Sequence, residues 1–274
     1  MYYNVIGDYM GKRILGTILL LIIFIPIFII GGNVFNTTIY IVSLLALKEF
    51  INIKNKKKEI PIFIKLISYI ALTGIILSKQ ELNMSLSIDY RILASIFILF
   101  LVPTILYSKK NTYSINDCFY LIGGILFLGI SFKTLMLVRY YNLEYAIYLL
   151  LISTFSDTYA YITGTYIGKH KLVDVSPEKT IEGIIGGIIF GVFVPVSYYH
   201  TIHPDMNLMT LISTTLFLCI LGIFGDLSFS VIKRYFNQKN FSNLIIGHGG
   251  ILDRFDSIIF IVLGFMFCMN ILGG

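Results

Sequence analysis

Nine apolar stretches of roughly membrane-spanning length follow one another along this chain, at about 14 to 31, 34 to 51, 61 to 78, 92 to 107, 118 to 138, 145 to 167, 183 to 200, 208 to 226 and 257 to 273. A helical span takes about 20 apolar residues, so the expected fold is all-α: a polytopic integral membrane helix bundle with about nine transmembrane helices. Composition excludes a soluble domain. Of the 274 residues 57% are hydrophobic and 13% charged, with a mean hydropathy of +0.84, whereas globular proteins carry about 25% charged residues. Nine spans use roughly 180 residues, which leaves short connections, so any chemistry must sit on the spans or their loops. Residues 1–140 read as N-terminal transmembrane helices, and 141–274 as C-terminal transmembrane helices carrying the catalytic site.

The first stretch follows Lys12 and Arg13, as a signal peptide would, but no A-x-A-like site follows Ile30 and the run is long for the apolar part of a leader. It is read as a retained span. The three cysteines, Cys118, Cys219 and Cys268, lie in or at apolar runs and make no disulfide framework. The net charge of +6 does not read as a nucleic-acid site, because the longest basic run, Lys54 to Lys58, is interrupted by Asn55. The distribution of cations is more informative, since cytoplasmic loops carry the excess of Lys and Arg. With the N-terminus cytoplasmic, the inner segments hold fifteen of the 21 basic residues and the outer loops only Lys79, Arg91 and Arg139. That orientation places the C-terminus outside.

Polar residues are dense in two places, from Ser153 to Gly183 and from Asp226 to Ser257, and the orientation puts most of both on the cytoplasmic side. Asp157 interrupts an apolar run, where a charge costs a few kcal/mol unless it is paired, neutral or facing a wet cavity. Its helical face carries Ser153, Ala160 and Gly164, so it reads either as a packing hydrogen bonder or, preferably, as a functional group. Gly183, Gly187 and Gly191 recur every four residues and read as a close helix-packing face. Asp226 follows Gly225 near the inner end of a span; a helix stopping there would place the carboxylate at the negative end of the dipole, and a bound cation such as magnesium would relieve the conflict.

The segment Gly247-His248-Gly249-Gly250-Ile251-Leu252-Asp253-Arg254-Phe255-Asp256 adds a glycine turn whose N–H groups can face one anion. Asp253 and Asp256 fall on one helix turn, where either can also serve as a cap. Lys233 and Arg234 read alone as membrane anchors, and beside these carboxylates as phosphate clamps. Acids for a divalent metal, bases for phosphates and a glycine turn at one membrane face are equipment for metal-assisted phosphoryl or nucleotidyl transfer. Neither G-x-x-x-x-G-K-[ST] nor a strand-borne G-x-G-x-x-G is present, so soluble nucleotide-binding folds have no support.

Ser230-Val231-Ile232-Lys233-Arg234, then Lys239-Asn240, then Gly247 to Asp256 closely resembles the signature of the phosphatidate cytidylyltransferases, or CDP-diacylglycerol synthases. A second similar stretch runs from Asp157, Ala160, Tyr161 and Gly164 through Gly168-Lys169 to Ser176-Pro177-Glu178-Lys179-Thr180-Ile181-Glu182-Gly183. The resemblance implies that CTP and phosphatidic acid, a membrane lipid, give CDP-diacylglycerol and pyrophosphate. It implies magnesium, one ion or two, on Asp226, Asp253 and Asp256. Catalytic roles fall to Asp226, Asp253, Lys233, Arg234 and His248, and substrate contacts to Asp157, Lys169, Ser176, Lys179, Lys239, Gly249, Gly250 and Arg254. It further suggests a homodimer, with the site facing the cytoplasm at a bacterial cytoplasmic membrane.

Two positions depart from the family pattern: Asn240 stands where Asp is common, and Ile246 where Pro is common. The competing expectations are a decayed family member, another CTP-using lipid transferase, or a transporter, which would favour broken helices in related repeats.

Overall fold

A computed structural model describes residues 22, 24–78, 89–107, 112–173, 176–244 and 249–272, apart from the side chains of 177 and 270–272. His248, Ile246, Lys12, Arg13, Lys79, Lys109 and Lys110 lie outside the described residues. After helical residues at 24–30 come α1 (Gly32–Asn55), α2 (Ile62–Leu77), α3 (Tyr90–Tyr107), α4 (Ile115–Tyr141) and α5 (Leu143–Ile167). An antiparallel hairpin, β1 (Lys171–Val173) and β2 (Ser176–Thr180), precedes α6 (Ile181–Ile202), α7 (Leu208–Tyr235) and α8 (Leu252–Leu272). Each of these helices contains or matches one of the apolar stretches, and α1, α3, α4, α6 and α7 are long and apolar enough to cross a membrane. Large apolar side chains such as Ile98, Val102 and Ile105 on α3 stay exposed, as a lipid-facing surface requires.

The chain forms two compact units, residues 1–137 with 236–254, and residues 138–235 with 255–274. In the first, the Phe50 and Tyr120 rings of α1 and α4 stack with centroids 4.5 Å apart, and the Tyr120 hydroxyl donates to the Phe50 carbonyl at 3.0 Å. The same two helices are tied at their polar ends by Asp117, which pairs with Lys54 and Lys58, each at 2.7 Å.

In the second unit, α5 and α6 lie against each other through small residues. A Cβ at Gly183 would sit 2.7 Å from the Ala160 carbonyl oxygen, and one at Gly187 2.7 Å from that of Ser156. The glycines therefore admit backbone, as a small-residue face does in lipid. The α7 helix joins them through Tyr148 and Thr215, whose hydroxyls are 2.7 Å apart.

Local sequence explains the helix starts here. Asn142 caps α5 by accepting from the Glu144 N–H at 2.9 Å, and Thr180 caps α6 by accepting from the Gly183 N–H at 3.1 Å. The hairpin between them is held at its base by Glu182, whose Oε2 accepts the Lys169 and His170 N–H groups at 3.1 and 3.2 Å while Oε1 meets His170 Nδ1 at 2.6 Å.

One expectation is corrected. The α7 helix does not stop near Asp226 but runs nine residues further, to Tyr235, so Asp226 does not stand at a helix C-terminus. The polar continuation ending in Lys233 and Arg234 stays helical because a cationic last turn suits the negative end of the dipole.

Candidate active site

The second unit contains a cavity of about 300 Å³. Its walls come from Ser156, Asp157, Ala160 and Tyr161 of α5, Ser176 to Thr180 of β2 except Pro177, Gly183 and Ile184 of α6, and Ile223 and Asp226 of α7. The hairpin turns Lys179 into this cavity, where its ammonium pairs with Asp226 Oδ2, both side chains remaining partly exposed. Asp157 is exposed along the same wall and accepts the Ser257 hydroxyl at 3.4 Å. That placement answers the cost of a carboxylate in an apolar helix, since it faces polar space rather than packed side chains.

Asp256, in contrast, is buried, and its Oδ1 accepts the Ser257 N–H at 3.0 Å. Asp226 and Asp157 act on it as like charges, opposed by the buried Lys233. Three carboxylates and two ammonium groups thus act on one another in this unit, a balance that an incoming polyanion with its counter-cation can redistribute. Among the described residues no three His, Cys, Asp or Glu side chains close around a common point as a metal cage. The donor chemistry nevertheless suits magnesium, which commonly takes only one or two protein carboxylates and completes its shell with water and substrate phosphate oxygens. Lys169 and Arg234 are exposed in the same unit.

The remaining sequence-derived residues belong to the first unit. Lys239, Asn240 and Arg254 are exposed there. Gly249 has φ +85°, a left-handed conformation open to glycine, and a Cβ on it would lie 3.0 Å from Asp253 Oδ2. That Oδ2 accepts two N–H groups, Phe241 at 3.0 Å and Gly250 at 2.9 Å. The next two N–H groups are also taken: Ile251 donates to Glu49 Oε1 and Leu252 to Glu49 Oε2, both at 2.9 Å. The glycine turn does present consecutive N–H groups to anions, and in this structure the anions are the chain's own carboxylates.

Sequence reasoning missed Glu49 and Glu182. For Glu49 the signal was available, because it is an acid inside the stretch 34 to 51, as Asp157 is inside 145 to 167. Glu182 was visible as a charge in the polar segment and within the second stretch that resembles the family, but its hold on the base of the hairpin was not.

A helical integral membrane protein with a cavity lined by Asp157, Glu178, Lys179 and Asp226 is the class that this fold and site define. Residues 11–272 match the model of the cytidylyltransferase family, and the chain belongs to that family. It is 37% identical over 255 residues to the phosphatidate cytidylyltransferase of Staphylococcus haemolyticus (strain JCSC1435), a match covering 92% of this chain and 96% of that protein. The phosphatidate cytidylyltransferase of Staphylococcus aureus (strain COL) matches with the same identity, 37% over 255 residues.

Proposed function

We propose that the chain is a phosphatidate cytidylyltransferase that makes CDP-diacylglycerol and pyrophosphate from CTP and phosphatidic acid. The observation that carries this reading is the 37% identity across 92% of the chain to proteins of that name. The cavity supports it through its chemistry. A phosphate oxygen of phosphatidic acid attacks the α-phosphorus of CTP; the new P–O bond forms as the bond from the α-phosphorus to the bridging oxygen breaks, and pyrophosphate leaves with that electron pair. Lys179 and Lys233 provide fixed positive charge for the phosphates, and a phosphate entering the cavity competes with Asp226 for the Lys179 ammonium. Arg234, Lys239 and Arg254, exposed between the last turn of α7 and the first turn of α8, are suited to lipid or nucleotide phosphate, and Lys169, Ser176 and Asp157 to orienting substrate.

Asp226 and Asp256 are proposed to hold magnesium, and the resemblance assigns Asp253 to the metal as well; there the ion supplies neutralisation of the charge growing on pyrophosphate. The 15-to-3 excess of cations on the inner segments supports nine spans, a cytoplasmic N-terminus and a site opening to the cytoplasm, where CTP is available.

The test is direct: detergent-purified protein is given labelled CTP, phosphatidic acid and magnesium, and CDP-diacylglycerol is measured with and without chelator. Product that disappears with chelation and in Asp226→Asn supports the reading. Folded protein that makes no product across several acyl chains and divalent metals overturns it.

A further inference from the structure

The α8 helix begins without a local cap. Its N-cap position is occupied by Ile251, which has no side-chain acceptor, and the residue before it is Gly250. The first N–H groups of any helix need acceptors, and here the acceptor arrives from the opposite end of the sequence. Glu49, in the third quarter of α1, is only 4% exposed. Its two oxygens accept Ile251 N–H and Leu252 N–H at 2.9 Å each, and Oε1 also accepts the Ser242 hydroxyl at 2.5 Å. Gly250 is needed for this approach, since a Cβ there would lie 2.6 Å from Glu49 Oε2. The segment that follows carries Asp253, whose carboxylate closes the other side of the same turn through Gly250 N–H.

We propose that Glu49 is a positioning residue of the transferase site: from α1 it seats the turn at Gly249–Leu252, and the Ile251 and Leu252 N–H groups are its permanent partners rather than a cradle for substrate phosphate. Three features carry this. The carboxylate is buried, it is satisfied by three donors, and a glycine is spent on admitting it. A buried charge held by several hydrogen bonds is costly to displace, because breaking one side strands the other. Phosphate recognition then falls to side chains rather than to the glycine turn's amides at 251 and 252. The proposal rests on the reading of the chain as a transferase and adds a residue outside the stretches that resemble the family signature.

The test compares Glu49→Gln and Glu49→Asp with the wild type in detergent. Gln keeps the shape but puts an NH2 donor where one carboxylate oxygen now accepts an N–H, so the two-oxygen seating of Ile251 and Leu252 is lost. Asp keeps both oxygens on a shorter arm. In Glu49→Gln, kcat is expected to fall about tenfold or more with KM for CTP within about twofold of wild type, because the turn is misplaced while the phosphate contacts remain. Glu49→Asp is expected to recover part of kcat, and it carries the same kcat and KM comparison should Glu49→Gln fail to fold. Amide exchange over 249–253, followed by mass spectrometry, is expected to accelerate in Glu49→Gln.

Unchanged kcat, or a lower KM for CTP with equal or higher activity, would overturn the proposal, since the carboxylate would then only be occupying amides that a phosphate uses. If wild-type protein makes no CDP-diacylglycerol, the transferase reading fails by itself. Amide exchange then decides the seating separately: unchanged protection at 250–252 in Glu49→Gln overturns it.

Discussion

Two regions of this molecule use the same residue types to different ends. In the cavity of the second unit, Asp226 is paired with the ammonium of Lys179 while both stay partly exposed, and Asp157 is exposed and accepts the Ser257 hydroxyl at 3.4 Å. In the glycine turn of the first unit, Glu49 and Asp253 receive four backbone N–H groups between 2.9 and 3.0 Å. Partners in water-accessible space exchange cheaply, whereas a buried carboxylate satisfied by backbone amides, as that of Glu49 is, is part of the frame. An acid in an apolar stretch is therefore a reason to look, and its partners decide whether it performs chemistry or holds shape.

The largest effect that would break this comparison is loss of the cavity pair. Lys179→Ala and Asp226→Asn are expected to lower CDP-diacylglycerol formation by about 10²- to 10³-fold, the scale of removing a preorganised charge from a reacting phosphate, while the thermal midpoint in detergent hardly moves. A variant that instead loses stability would class the pair with the frame. Chelation of divalent metal is expected to give a comparable loss, reversed by added magnesium and measured in the same assay.

On the frame side, Gly249→Ala forces a side chain into φ +85° and is expected to cost about 1–2 kcal/mol, lowering the midpoint and the activity together. Gly187→Leu overpacks the α5–α6 contact at a cost of about 1–3 kcal/mol, with the same joint signature in thermal unfolding and assay. The smallest effect is expected from Asn240→Asp, at a position where the sequence departs from the signature it resembles. Asn240 is exposed, so activity is expected to stay within about threefold of wild type, and a larger gain would place that acid in the chemistry.

Much of the architecture was legible. The apolar stretches 34 to 51, 92 to 107 and 183 to 200 correspond to α1, α3 and α6, and the glycines at 183 and 187 were readable as a packing face. The continuation of α7 past Asp226 was not, because hydropathy marks where lipid ends and says nothing of where a helix ends; the dipole argument for Asp226 failed with it. Nor was the hairpin at 171–180, since its strands are short and its Lys179 looks from sequence like any other loop cation. Asp157 and Asp226 were singled out from their type and place and Lys179 by resemblance, and the structure brings all three to one cavity, but the pairing of Lys179 with Asp226 was not legible.

The sequence by itself determined the solvent, the helical class and the kind of chemistry: these follow from apolar runs of spanning length and from which charged residues accompany a glycine turn, all local or compositional properties. Only the tertiary structure decided which carboxylate meets which donor. Glu49 and the N–H of Ile251 are 202 residues apart, and no periodicity or propensity links positions at that separation. Their contact exists because α1 and the start of α8 pack in one unit, where a helix start without a cap of its own leaves N–H groups that a buried acid can satisfy.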